Sequence, residues 1–369
     1  MIMTYLVDTL EKRLGKNVGT DNIILTGLTR TSITVALKAM GISAGDEVIM
    51  PAFICRVVEK AVILSGAKPV YVDLIRNSLD INMEDLKKVL SNRSRALIVN
   101  HTFGYQADAE KFRRFCDDHK LYLIEDCVSS FVVDYQDDRK KIYGDIAVFS
   151  IYKMLVNTGG SFIATCNQSL AVRCREELVK LEASSEKRRL SKRLYANSYN
   201  LFYSIFQIYG LRLPFYTALV KILRGYHRSQ LKIDGAGCDG KITMTGMEHF
   251  FGFLQLPLLR WHLRRRIEIG KLAFEKLSCF DEVILPARDH ELSVIRELPV
   301  YLAGNKRAAF LRLAKKSGIM TLSPWVPLAP LDETIKMSKN MFLVPVRCLS
   351  YVKDIDRLKK ILVEMHSDS

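Results

Sequence analysis

Between residues 20 and about 165, short β-rich runs alternate with amphipathic helical stretches, and this alternation leaves few architectures open. DEVIM ends at Met50, PVYVD at Asp73, ALIVN at Asn100, LYLIED at Asp126, IAVFS at Ser150 and SFIAT at Thr165. Helical patterns such as Met83–Leu90 and Ala107–His119 separate the earlier runs. Near-continuous apolar strands joined by helices predict a mostly parallel sheet covered on both faces. Right-handed crossovers then gather the strand C-termini on one edge, where open α/β sheets bind ligands. Asn100, Asp126 and Ser150 fall at such ends and are site candidates on position alone.

The 369 residues suit two lobes that share a cleft. We expect a large domain over 1–240, with a basic and aromatic insertion at about 186–235, and a smaller C-terminal α/β domain over 241–369. In the smaller part, strands are expected near Pro299–Leu302 and Met341–Val344, with a closing helix from Lys353 to Met365. A long helix is expected from Met244 onward, because Met244, Met247, Phe251, Leu254 and Leu258 recur at steps of three and four. That stripe is read as core.

The insertion has no acidic residue between Glu186 and Asp234, and its middle is rich in Tyr, Phe, Leu and Ile. Its uncharged run from Ala196 to Leu211 is too short and polar to span a bilayer. Two readings fit it: an interfacial hairpin over 187–228 touching lipid headgroups, or an inserted helical pair packed on the protein's own core or a dimer partner. The net charge of +15 suits anionic partners or plain solubility, and no zinc finger, RNA-binding signature or basic tail points to nucleic acid. Eight scattered cysteines without a C-x-x-C pair predict reduced, mostly buried thiols, no metal site and a cytoplasmic protein. The N-terminus lacks the pattern of a secretory signal.

One set of residues matches a known cofactor chemistry. Pyridoxal phosphate needs an amine to hold it, a carboxylate to keep its pyridine nitrogen protonated, and donors for its phosphate. Lys153 lies three residues after Ser150 and shortly before Gly159–Gly160, and Asp126 ends another buried strand. Leu28-Thr29-Arg30-Thr31-Ser32 immediately precedes an apolar-periodic helix from Ile33 to Met40. Taken singly these are a surface lysine, a turn aspartate and an N-cap cluster; their order makes the set specific.

Nearly the whole chain resembles the DegT/DnrJ/EryC1/StrS family of pyridoxal-phosphate-dependent (sugar) aminotransferases. The resemblance rests on GDEVIMP and SGAKPVYVD, on HTFGYQAD, on LIEDCVSS, on YGDIAVFSIYKMLVNTGGSFIAT and on MTGMEHFFGFLQL. It implies a fold-type-I transferase, α/β, with pyridoxal 5'-phosphate as cofactor. Lys153 would be the Schiff-base lysine, Asp126 the partner of the pyridine nitrogen, and Ser150 with Arg30, Thr31 and Ser32 the phosphate surroundings. Cys55 stands where the family commonly stacks an aromatic ring, Ser129 where it often has Gln or His, and Lys241 near its cross-subunit phosphate ligand. The Ser150–Lys153 spacing is two residues shorter than the common one. The resemblance further implies a homodimer with shared active sites, glutamate as amino donor and a keto sugar, commonly nucleotide-linked, as acceptor, in surface polysaccharide or amino-sugar biosynthesis. Two alternatives are another pyridoxal-phosphate reaction, which the lysine disfavours for sugar dehydration, and a membrane-surface or regulatory protein on a degenerate fold.

Overall fold

In a computed structural model, the described residues are 2–130, 142–155, 157–184, 242–281, 283, 294–302, 306–319, 321–346 and 351–367. Both the insertion at 186–235 and the expected boundary at 240/241 therefore lie outside the described residues, as does Lys241.

Seven strands form one sheet: β1 (Ile23–Thr26), β2 (Glu47–Pro51), β3 (Lys68–Val72), β4 (Ser94–Asn100), β5 (Tyr122–Asp126), β6 (Ile146–Ser150) and β7 (Ser161–Ala164). Their order is β1-β7-β6-β5-β4-β2-β3. The β2–β3, β2–β4, β4–β5 and β5–β6 pairs are parallel, and β7 runs antiparallel to both β1 and β6. The direction of β7 follows from chain length. Only residues 151–160 join β6 to β7, fewer than the dozen or more that a parallel crossover needs. The short connection that carries Lys153 therefore stays at the sheet edge where β4 and β5 also end.

Alternate strand residues feed opposite faces, as the two-residue pleat requires. Ile24, Val48, Ile98, Ile124, Val148 and Ile163 share a core with the helices α2 (Thr29–Ala39), α3 (Arg56–Ser65) and α7 (Gln168–Ala183). Toward the other face, Phe149, Phe162 and Ala147 meet α1 (Ile2–Val18) and a long helix, α8 (Gly246–Leu277). Farther along that face, Leu97, Val99 and Leu123 pack on α4 (Met83–Val89) and α5 (Ala109–His119). The remaining short helix, α6 (Ile151–Met154), belongs to the β6–β7 connection.

A second sheet pairs β8 (Glu297–Tyr301) with β9 (Met341–Pro345), antiparallel. It packs with α9 (Lys306–Lys316), α10 (Asp332–Asn340) and α11 (Tyr351–Ser367). Helix α8 joins the two cores: Leu256, Leu259 and Leu263 belong to the first, Ile269, Ala273 and Leu277 to the second. At the junction Gly104 has φ +99°, and a Cβ there would meet Val294 O at 2.2 Å and the Arg296 nitrogen at 2.9 Å. Only glycine admits that approach. The approach lets the Arg296 N–H donate to Phe103 O at 2.8 Å.

Two expectations need correction. The stripe on α8 is not core: Met247, Leu254 and Leu258 are exposed, joined by Phe250 and Trp261, whereas Met244 is buried before the helix begins. The buried face is Gly252, Leu256, Leu259, Leu263 and Arg266, on the opposite side. A helix apolar on both faces shows the same period whichever face is inside. The thiols are free, as expected, but not mostly buried: among the described cysteines, Cys116, Cys127 and Cys174 are buried, Cys55 is intermediate, and Cys166 and Cys279 are exposed.

Candidate active site

The parallel register sets the floor of the site. Asn100 on β4 is paired with Asp126 on β5, and Asp126 with Val148 on β6, two residues before Ser150. Asp126 is buried, and one carboxylate oxygen accepts the Val128 N–H at 3.1 Å. Burial pushes its carboxyl up from the ordinary range, partly offset by the charge of Lys153, the Val128 N–H and His101. A desolvated carboxylate of this kind gains most from a bound cation or N–H donor.

His101 and Glu125 lock the next layer. His101 Nδ1 accepts the Ala107 N–H at 3.1 Å, so the ring carries its proton on Nε2, 3.1 Å from Glu125 Oε2. Glu125 Oε1 accepts the N–H groups of Tyr143 and Gly144 at 2.7 and 2.6 Å. Cys127 has its sulfur near these two residues, all within 4.8 Å of one another, but both ring nitrogens and both carboxylate oxygens are already engaged. The set holds the HTFGYQAD turn against β5.

Ser150 ends β6 and caps α6 by position, yet its side chain makes no capping hydrogen bond. Its Oγ is buried and has no hydrogen-bond partner among the described residues. A buried hydroxyl left unpaired costs about 1–3 kcal/mol, so this atom is suited to a ligand oxygen. Lys153 follows within the same helical turn. The residue is half-buried, but its amine is desolvated, and this with the Arg296 guanidinium lowers it to about 8; Cys55, Asp126 and Glu297 pull it back upward. Such an amine is a nucleophile near neutral pH.

The Lys153 connection is fixed on several sides. Ile151 N–H donates to Gly160 O at 2.9 Å, and Gly160 N–H to Gly27 O at 3.1 Å. Asn157 Nδ2 donates to Glu248 O at 2.9 Å, and Thr158 Oγ1 to Glu248 Oε1 at 2.8 Å. From the same helix α8, Arg266 reaches Lys153 O at 3.3 Å and Met154 Sδ at 3.5 Å.

Helix α2 begins earlier than the sequence suggests. Its first residue is Thr29, so Arg30, Thr31 and Ser32 lie inside the first turn, and the N-cap is Leu28, which offers no side-chain cap. First-turn N–H groups at a helix N-terminus favour an anionic acceptor. Ser32 is not such a donor: its N–H goes to Leu28 O, and its hydroxyl bridges Thr26 Oγ1 at 2.6 Å and Ser161 Oγ at 2.8 Å. It ties the helix start to β1 and β7 instead.

Cys55 is the N-cap of α3 and lies within the electrostatic reach of Lys153. Ser129 is buried on the turn after β5. Phe53 turns away into a cluster with Phe103 and Trp325, at ring separations of 6.1 and 5.6 Å. Arg266 and Arg296 are the residues the sequence reading missed. Arg266 follows Arg264 and Arg265, and nothing but the helix phase distinguishes the inward one.

A first expected result concerns pH. With Lys153 lowered to about 8, roughly a tenth of the amine is neutral at pH 7 and half at pH 8. The initial rate of covalent capture of pyridoxal phosphate by cofactor-free protein should rise about tenfold per pH unit up to pH 7 and level off above pH 8. Stopped-flow absorbance across pH 6–10 measures it. A rise continuing to pH 10 would refute the lowered amine.

Residues 2–337 match the sequence model of the DegT/DnrJ/EryC1/StrS aminotransferase family. GDP-perosamine synthase of Vibrio cholerae is 29% identical over 145 residues, 39% of this chain and 40% of that protein. The 3-oxo-glucose-6-phosphate:glutamate aminotransferase of Bacillus subtilis is 30% identical over 171 residues, 46% of this chain and 38% of that protein. The aligned stretches thus span about two-fifths of the length of these relatives. Among solved structures, NtdA from Bacillus subtilis with bound cofactor PMP superposes with a TM-score of 0.71 at 19% identity, over 97% of this chain and 76% of that one. The architecture is that of fold-type-I pyridoxal phosphate aminotransferases. The chain belongs to the DegT/DnrJ/EryC1/StrS aminotransferase family, whose members depend on pyridoxal phosphate.

Proposed function

We propose that this protein is a pyridoxal-phosphate-dependent aminotransferase that moves an amino group from glutamate to a keto sugar for amino-sugar or surface polysaccharide biosynthesis. The observation that carries the reading is the meeting of Asp126, Ser150 and the Lys153 amine at one sheet edge, with the Ser150 hydroxyl buried and unpartnered. These residues fit the cofactor. Lys153 would hold its aldehyde carbon, Asp126 its ring nitrogen, and Ser150 with the first-turn N–H groups around Arg30 and Thr31 its phosphate. Cys55 lies within the electrostatic reach of Lys153, and Ser129, buried on the turn after Asp126, would complete the cofactor surroundings.

When bound, pyridoxal phosphate supplies an aldehyde for covalent attachment and a ring that accepts electrons. Everything else falls to the chain. Asp126 would keep a proton at the ring nitrogen, because a desolvated carboxylate is stabilised by an N–H donor. The Lys153 amine would move a proton to and from the substrate carbon that bears the amino group. Its lowered basicity leaves part of it neutral and able to act as a base.

The donor and acceptor classes rest on the relatives: one carries glutamate and a phosphorylated 3-oxo sugar in its name, the other a nucleotide-linked amino sugar. The net charge of +15 favours anionic acceptors of either kind. A homodimer, a cytoplasmic location and contact of 187–228 with a membrane surface belong to the same proposal. The exposed face of Met247, Phe250, Leu254, Leu258 and Trp261 supports association through α8. No described helix is long and apolar enough to cross a membrane.

Nucleotide-linked and phosphorylated keto sugars, incubated with isotopically labelled glutamate, test the function. Nitrogen should pass to at least one sugar, read by product mass. A protein that captures the cofactor but aminates none of them, while converting other substrates, would overturn the sugar assignment.

A further inference from the structure

The β6–β7 connection is held by one helix, α8, from two places, one near its start at Glu248 and one at Arg266. Near its N-terminus, Glu248 takes the Thr158 hydroxyl and the Asn157 amide. Five turns further along, Arg266 takes the carbonyl of Lys153 and the sulfur of Met154. Arg266 is only 1% exposed and heads the largest fully buried side chains. Taking a guanidinium out of water is unfavourable unless its donors are used, and two of its contacts are with neutral atoms of the Lys153 turn. That turn is short: α6 has four residues, and its closing hydrogen bond runs from Leu155 N–H to Ile151 O at 2.8 Å. So small a helix does not hold its own geometry.

We propose that Arg266 is a positioning residue for Lys153, its guanidinium fixing the carbonyl of the lysine and the sulfur of Met154 so that the amine is held toward Asp126. Planar, forked donors suit this task because two directions are fixed at once. A lysine in its place supplies the charge without the fork. The far end of α8 lies in the core of the second sheet through Ile269, Ala273 and Leu277. Arg266 therefore transmits the placement of that lobe to the reactive amine. The inference rests on the reading of Lys153 as the cofactor-binding amine.

The test uses Arg266→Met and Arg266→Lys in the full chain, each with two readouts. The first is reductive methylation of Lys153 in cofactor-free protein across pH, followed by peptide mass spectrometry, with exposed Lys180 as internal standard. The second is the rate at which pyridoxal phosphate is captured and trapped by borohydride. In Arg266→Met the methylation midpoint of Lys153 should move up by about one pH unit as the turn loosens toward water. Capture should slow about tenfold, with Arg266→Lys in between. A merely structural arginine would lower the melting temperature and leave the midpoint in place. Folded Arg266→Met with unchanged midpoint and capture rate overturns the proposal. If that variant does not fold, an unchanged midpoint and rate in Arg266→Lys overturns it equally. Failure of the parent protein to capture the cofactor would instead defeat the cofactor reading, while the methylation midpoints still judge Arg266.

Discussion

Lys153→Ala is expected to remove covalent capture of pyridoxal phosphate altogether and to lower aminotransfer by about a thousandfold or more. The size follows from two duties resting on one atom. The amine forms the bond that holds the cofactor, and it moves the proton that makes transamination possible. Other lysines of the chain cannot replace it, because the Ser150–Lys153 turn is fixed by Gly160, Gly27 and Arg266 at one place on the sheet edge. The fold should survive, since alanine is a good helix former and Lys153 is only half-buried. The measurement is the visible absorbance of protein purified with cofactor, together with peptide mass after borohydride reduction. Retention of the adduct at another lysine would move the site away from this turn.

Much of this arrangement was legible because buried parallel strands write themselves as apolar runs. Asp126 and Ser150 could be placed at strand ends because LYLIED and IAVFS stop where their apolar residues stop, and β5 and β6 end at those two residues. The start of α2 was less legible. Polar residues signal helix starts when they cap, but here the cap is Leu28, and Ser32 is drawn inside by hydrogen bonds to β1 and β7. Those partners are 129 residues away in the case of Ser161, beyond the reach of any local rule.

The face of α8 was misread for a related reason. Periodicity reports that a stripe exists, and the packing of α1 against Leu256, Leu259 and Leu263 decides which stripe is covered. Arg266 was invisible on the same ground, since charge alone assigns an arginine to the surface. The role of Gly104 was hidden too. HTFGYQAD marks a turn, but the closeness of Val294 and Arg296 to that glycine belongs to the docking of the second lobe.

Asp126→Asn should separate holding the cofactor from using it. Lys153 and Ser150 remain, so covalent capture should persist and the protein should keep its visible absorbance. Asparagine is neutral and cannot keep the ring nitrogen protonated, so aminotransfer should fall by about a hundredfold to a thousandfold. A second consequence has the opposite sign. Burial raises the Asp126 carboxyl above the ordinary range, so in cofactor-free protein the charged form opposes folding. The sign follows from linkage: the penalty is complete above the folded value and vanishes below the unfolded value near 3.9. Cofactor-free Asp126→Asn should therefore be more stable than the parent at pH 7, by about 1 kcal/mol, and the advantage should fade as pH falls toward 4. Urea unfolding of both proteins at pH 7 and pH 4 reads this directly, and addition of pyridoxal phosphate should reverse the order at pH 7. Equal stabilities at both pH values, with full activity in the variant, would show that this carboxylate is neither strained by its burial nor paired with the cofactor.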